Sequence, residues 1–191
     1  MAVRRPARPI TAQYLQNAAA FYLERYPATA EGLRRVLRRR VRRAEIAESP
    51  IMDEVGAAIE AIVQRFVAAG AIDDKEFAQT KARALHRRGT SGRMTRHKLA
   101  LAGVDAGTLD RALVALDEEL DTDPERREWR AAVALARRRR LGPFRPEAER
   151  ADRRHRDLAA MARAGFALAV ARKVIEAADI AALDDDQGGM G

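Results

Sequence analysis

An all-α fold is predicted for this chain, an elongated array of short helices. Two features carry that expectation. Apolar residues recur at offsets of three and four, with glycine, proline or aspartate at the breaks. The apolar fraction is 47% while aromatics are only 5%, so alanine supplies much of it. Alanine buries little area per residue, which favours thin helix-helix contacts over one thick centre.

A first helix shows the stripe Leu15, Ala18, Ala19, Tyr22 and Leu23, and a second shows Leu33, Val36, Leu37 and Val41. The third is the clearest: Val55, Ala58, Ile59, Ile62, Val63, Phe66 and Val67 fall on one face. A new group opens at Ile72-Asp73-Asp74-Lys75-Glu76-Phe77. Asp73 suits an N-cap, Glu76 can reach back to the Asp73 amide, and Ile72 with Phe77 forms a hydrophobic staple. Gly89 ends that helix, a shorter one spans about Ser91 to Ala102, and Gly103 ends it before Val104-Asp105 repeats the staple and cap against Leu109. Leu109, Ala112, Leu113, Leu116 and Leu120 then line one face.

Asp121, Asp123 and Glu125 interrupt the pattern, and Pro124 suits the first turn of another helix. Its apolar residues are Trp129, Ala132, Val133 and Ala136; Leu158, Met161 and Ala162 mark the next helix, and Val170, Ala171, Val174 and Ile175 the last. Leu141 to Pro146 must turn between the first two. Setting Gly103 over Gly165 aligns Leu99 with Met161, Val104 with Phe166 and Leu113 with Ile175, which suggests one motif used twice. The expected division is therefore three three-helix repeats, over 11–70, 71–121 and 122–180, with a disordered tail at 181–191 that holds Gly188, Gly189 and Gly191.

The formal charge is +8, from 36 Lys and Arg against 28 Asp and Glu, which favours a polyanionic partner. The basic residues are clustered. Arg34, Arg35, Arg38, Arg39, Arg40, Arg42 and Arg43 surround the apolar stripe of the second helix with no acid inside the run. Arg87, Arg88, Arg93, Arg96 and Lys98 form a second cluster, where Gly89 and Gly92 let backbone approach closely. Arg137, Arg138, Arg139 and Arg140 form a third, followed across the turn by Arg145, Arg150, Arg153, Arg154 and Arg156. Arginine pairs with phosphate or carboxylate, and clusters spaced along the chain suit a filament or duplex better than one compact ligand. The competing reading of each run is a solvated helix face.

Catalysis is not expected. His86, His97 and His155 share no metal-ligand or triad spacing, read as surface histidines, and no glycine-rich phosphate loop is present. No cofactor or metal site is predicted. Zero cysteines exclude disulfides and thiolate chemistry. The opening ten residues carry Arg4, Arg5 and Arg8 without an apolar core behind them, so a cytoplasmic protein that neither enters nor spans a membrane is expected. Trp129 and Phe144 read as packing anchors, and Asp73 with Asp74 as capping residues rather than a catalytic pair.

Tyr22-Leu23-Glu24-Arg25 followed by Glu31-Gly32-Leu33, then Gly70-Ala71-Ile72-Asp73-Asp74 with Phe77-Ala78, then Gly89, Leu99 and Gly103-Val104, and finally Met161-Ala162-Arg163-Ala164-Gly165-Phe166 stand in order along the chain. Together they resemble the RecX regulatory proteins, which modulate the bacterial recombinase RecA, over residues from about Tyr14 to Ala178. The resemblance implies a bent array of three tandem three-helix repeats. It implies a monomer lying in the groove of the RecA filament on DNA, single-stranded first and double-stranded as a further partner, limiting filament growth, ATP hydrolysis and strand exchange. DNA repair, recombination and the SOS response are the setting it suggests. Ala28-Thr29 and Gly32 depart from the family's usual serine-and-glutamate helix start, and Ala167 from a common capping serine, so weaker caps are expected at both places. A stand-alone helix-turn-helix regulator and a passive architectural nucleic-acid-binding protein remain the rival readings. The run from Arg34 to Arg43 has no Asn, Gln, Ser or Thr to read base edges, which argues against the first.

Overall fold

A computed structural model describes residues 9–185, and within them the protein is all-α. The helices are α1 (Ala12–Leu23), α2 (Ala30–Ile46), α3 (Val55–Ala68), α4 (Asp74–Arg87), α5 (Gly92–Ala102), α6 (Ala106–Glu119), α7 (Pro124–Arg139), α8 (Glu147–Arg163), α9 (Leu168–Ile175) and α10 (Ala181–Asp185). A 3-10 turn, Gly142–Phe144, separates α7 from α8. Ile10 and Ile51 form an isolated parallel bridge ahead of α1 and α3.

The predicted boundaries rest on the local chemistry expected of them. Asp73 Oδ1 accepts from the Glu76 amide at 2.9 Å and starts α4, although the Glu76 carboxylate makes no return bond. Asp123 Oδ1 accepts from the Arg126 amide at 2.8 Å, with Pro124 in the first turn of α7. Thr29 is a stronger cap than expected. Its hydroxyl accepts from Gly32 N at 2.8 Å, and Asp74 Oδ1 takes the Ala30 amide at 2.8 Å, so two free donors of α2 are satisfied. Ala167 supplies no side-chain cap to α9, in line with expectation.

Packing divides the described residues into two compact units: 9–77 with Ala102–Asp105, and Ala78–Leu101 with 106–185. In the first, α1, α2 and α3 pack on one another. Leu15, Leu33, Leu37, Val41, Ile59, Ile62 and Val63 are buried there, as the periodicity predicts, whereas Val67 is 40% exposed. In the second, Trp129, Leu135, Met161, Phe166, Val174 and Ile175 are buried in a core shared by α7, α8 and α9.

The expected loose tail needs correction at its start. Ala181–Asp185 is helical, and Leu183 is buried with its carbonyl accepting from Trp129 Nε1 at 3.3 Å. Leu183 has an apolar residue at helical spacing only on its N-terminal side, Ile180, and the helix is five residues long, so the periodic signal is too short to mark it. The predicted glycine tail at Gly188, Gly189 and Gly191, and the arginines Arg4, Arg5 and Arg8, lie outside the described residues.

Candidate polyanion-binding surfaces

In the first unit, α2 buries Leu33, Val36, Leu37 and Val41 and turns its arginines outward, but these are not equivalent. Arg34 makes a two-pronged fork with Glu60 of α3, Nε to Oε2 and Nη2 to Oε1, both at 2.7 Å. That fork, with a further bond from Gln64, holds the Glu60 carboxyl down at about 2, and it raises Arg34 in turn. Arg35 donates to Glu31 at 3.1 Å, Arg38 comes within 3.9 Å of the same carboxylate, and Arg40 donates to the Tyr14 hydroxyl at 3.3 Å. Arg39, Arg42 and Arg43 are exposed and without partners among the described residues. The freest charge thus sits in the C-terminal half of α2. Glu31 was legible at helical spacing from Arg35. Glu60, on another helix, was not.

In the second unit the structure brings two predicted clusters together. A pocket of about 380 Å³ is lined by Gly89 and Thr90 of the α4–α5 turn, Met94 and Lys98 of α5, Leu135, Arg138 and Arg139 of α7, and Arg163 and Ala164 at the end of α8. Among the described residues no carboxylate lines it. Lys98, Arg138, Arg139 and Arg163 are exposed, and none has a hydrogen bond or ion pair among the described residues.

Two glycines and one serine build this pocket. Gly89 has φ +67°, and a Cβ there would overlap the backbone of Leu135 and Ala131, so only glycine lets the α4–α5 turn close on α7. Ser91 Oγ accepts from Met94 N at 3.1 Å, capping α5, and donates to the Ala164 carbonyl at 2.9 Å. Gly165, at φ +95°, lies against that hydroxyl. The end of α8 is therefore pinned to the start of α5, which sets Arg163 beside Met94 and Lys98. Sequence reasoning omitted Arg163 from the site, although it stands inside the Met161–Phe166 motif.

Other predicted residues lie elsewhere or are occupied. Arg87, Arg88 and Arg153 are exposed and without partners among the described residues. Arg93 and Arg96 line a separate hollow of about 550 Å³ with Trp129, Val170, Lys173, Glu125 and Glu128, and Arg96 is paired with Asp110. Burial pushes the Glu128 carboxyl up, against the effect of the Gly92 amide that it accepts. Arg137 lies over the Phe144 ring at 5.6 Å, Arg140 ends α7 at φ +53°, and Arg154 is paired with Glu176. Arg145 and Arg150 serve the fold. Arg145 forks onto buried Asp157, while Arg150 donates to the carbonyls of Pro143, Arg145 and Ala178.

Of the histidines, His97 and His155 are exposed but His86 is half-buried, which corrects the surface reading. Among the described residues no three His, Asp or Glu side chains converge as metal ligands, and no helix is long and apolar enough to cross a membrane.

No family model matches the chain. It is 41% identical over 176 residues to the regulatory protein RecX of Myxococcus xanthus (strain DK1622), covering 91% of each chain. The chain belongs to the RecX family of regulatory proteins. A RecX of Agrobacterium fabrum (strain C58 / ATCC 33970) is 31% identical over 162 residues, which is 85% of this chain and 82% of that one. The crystal structure of RecX from Lactobacillus salivarius matches with a TM-score of 0.57 at 18% identity, covering 86% of this chain and 94% of that chain. A second RecX crystal structure matches at TM-score 0.54 and 19% identity, covering 86% and 71%. Both show the same all-α fold, and the RecX likeness read from the motifs is thereby established.

Proposed function

We propose that this RecX-family chain is a non-enzymatic negative modulator of the RecA recombinase. It works in the cytoplasm as a monomer, lies in the groove of the RecA–DNA filament, and limits filament growth, ATP hydrolysis and strand exchange during DNA repair and recombination. The observation that carries the reading is the 41% identity to a RecX protein across nearly the whole chain. Its physical support is the unpaired charge on each unit: Arg39, Arg42 and Arg43 on one, and the cationic pocket on the other. Separate weak contacts joined in one chain add through effective concentration, which suits a repeating polyanionic target.

The same reading includes three tandem repeats over 11–70, 71–121 and 122–180. Its support is a duplicated bond: the Thr29 hydroxyl donates to Ala102 O and the Ser91 hydroxyl to Ala164 O, each across 73 residues. The glycines that follow, Gly103 and Gly165, have φ of +94° and +95°.

The test is recombinase ATP hydrolysis on single-stranded DNA with the purified chain added well below one copy per recombinase subunit. Strong inhibition is expected. Equal potency from a scrambled arginine-rich peptide would sink the proposal, because charge alone would then suffice.

A further inference from the structure

The pocket among α5, α7 and α8 holds four cationic side chains, Lys98, Arg138, Arg139 and Arg163, with no acid among the described residues on its walls. We infer that it is a seat for a phosphate group, taken either from a nucleic-acid backbone or from the oligophosphate of a free nucleotide. The inference rests on the polyanion-binding reading above and locates one of its contacts.

Like charges gathered into a concavity repel, and repulsion at low screening favours an anion that neutralises them. Several arginines elsewhere are neutralised internally, Arg34 by Glu60, Arg96 by Asp110, Arg127 by Asp117 and Arg145 by Asp157, and those left free, such as Arg39 and Arg42, line no pocket with them. The pocket's four are not neutralised in this way among the described residues. Helix dipoles account for part of the arrangement, since Arg138, Arg139 and Arg163 stand in the last turns of α7 and α8. They do not account for Lys98, which sits inside α5, nor for the Gly89–Leu135 approach and the Ser91–Ala164 bond that draw the helix ends into one cavity.

Guanidinium forks match the spacing of phosphate oxygens and lysine adds a point charge, so the side-chain set suits phosphate. At about 380 Å³ the pocket lies at the small end of the ligand-site range. Met94, Leu135 and Ala164 add an apolar wall that fits the sugar or base attached to such a group.

The test is calorimetric titration of the full chain with inorganic tripolyphosphate and, separately, with a single-stranded oligothymidylate. The variants are R138Q/R163Q and, as a charge-matched control on α4 away from the pocket, K75Q/K81Q; thermal melting checks that both fold. R138Q/R163Q should weaken tripolyphosphate binding by at least about tenfold, because charge-assisted hydrogen bonds are the strong ones, while K75Q/K81Q should change it by less than about twofold. Equal weakening by both variants, or by neither, would overturn the seat.

The two sources separate in the second titration. Competition between oligonucleotide and tripolyphosphate, with both weakened by R138Q/R163Q, identifies a backbone phosphate. Simultaneous binding, with the oligonucleotide unaffected by that variant, identifies a free oligophosphate. Failure of the recombinase assay would remove the RecA reading without altering the difference between these variants, so the two conclusions fail separately.

Discussion

Asp157 is the residue on which the α7–α8 connection closes. Its side chain, 2% exposed, accepts from Gly142 N at 2.9 Å and from Arg145 at 2.9 and 3.0 Å. Gly142 itself has φ +53° and lies so close to the Ile175 backbone that a Cβ would overlap it. Replacing Asp157 by alanine would leave the buried Gly142 amide without its acceptor and the half-buried Arg145 without its partner, and should cost about 1–3 kcal/mol in urea unfolding. Nothing local made this visible: Asp157 follows a run of arginines and reads as part of a solvated charged face.

His86 gives a second residue-level expectation. Burial, then Arg127 and Arg130, lowers its pKa below the ordinary 6.5, with Asp117 opposing. The folded chain therefore favours neutral imidazole, while the unfolded chain takes up the proton at higher pH. The corresponding stability is whole above 6.5 and is lost as the pH falls through the folded value. Melting temperature followed from about pH 7.5 to about pH 5 should drop less steeply in His86→Gln than in the parent chain; parallel curves would show the imidazole to be irrelevant.

For the helices, the informative contrast is among glycines. Gly70 has φ +70° with nothing within 4 Å of the place a Cβ would take, so Gly70→Ala meets only left-handed backbone strain, about 1–2 kcal/mol. Gly89 and Gly165 carry the same strain and in addition face the Leu135 backbone and the Ser91 hydroxyl. Gly89→Ala and Gly165→Ala should each lower the denaturation midpoint well beyond the Gly70 variant, and equal shifts in all three would contradict the close approach. Ser91→Ala, which removes a cap and its bond to Ala164, should cost about 1–2 kcal/mol.

Most helix ends were legible because glycine, proline and aspartate act locally, and the alignment of Gly103 over Gly165 pointed at two positions with matching φ. Partners supplied from outside a helix were not legible. Asp74 on the Ala30 amide and Thr29 on the Ala102 carbonyl bridge distant positions that no local pattern connects. The Ile72–Phe77 staple is intermediate in this respect: Ile72 is buried but Phe77 only half so, and Phe77→Ala should fall short of the roughly 3–5 kcal/mol of a fully buried phenylalanine.

At the level of the whole molecule, the formal charge of +8 conceals a division between arginines spent on the fold and arginines left free. Composition announced a polyanion partner and motif order announced the family, but which guanidiniums are free depends on carboxylates from other helices. Neutralising Arg39, Arg42 and Arg43 together should therefore flatten the salt dependence of DNA binding by roughly one slope unit per lost phosphate contact, measured by titration at several salt concentrations. An unchanged slope would assign those three to solvent. The chain also holds a single tryptophan, Trp129, buried with its indole N–H on the Leu183 carbonyl. Its fluorescence is consequently a built-in optical gauge of α10: ending the chain at residue 180 would wet the indole and shift its emission to the red, with no label attached.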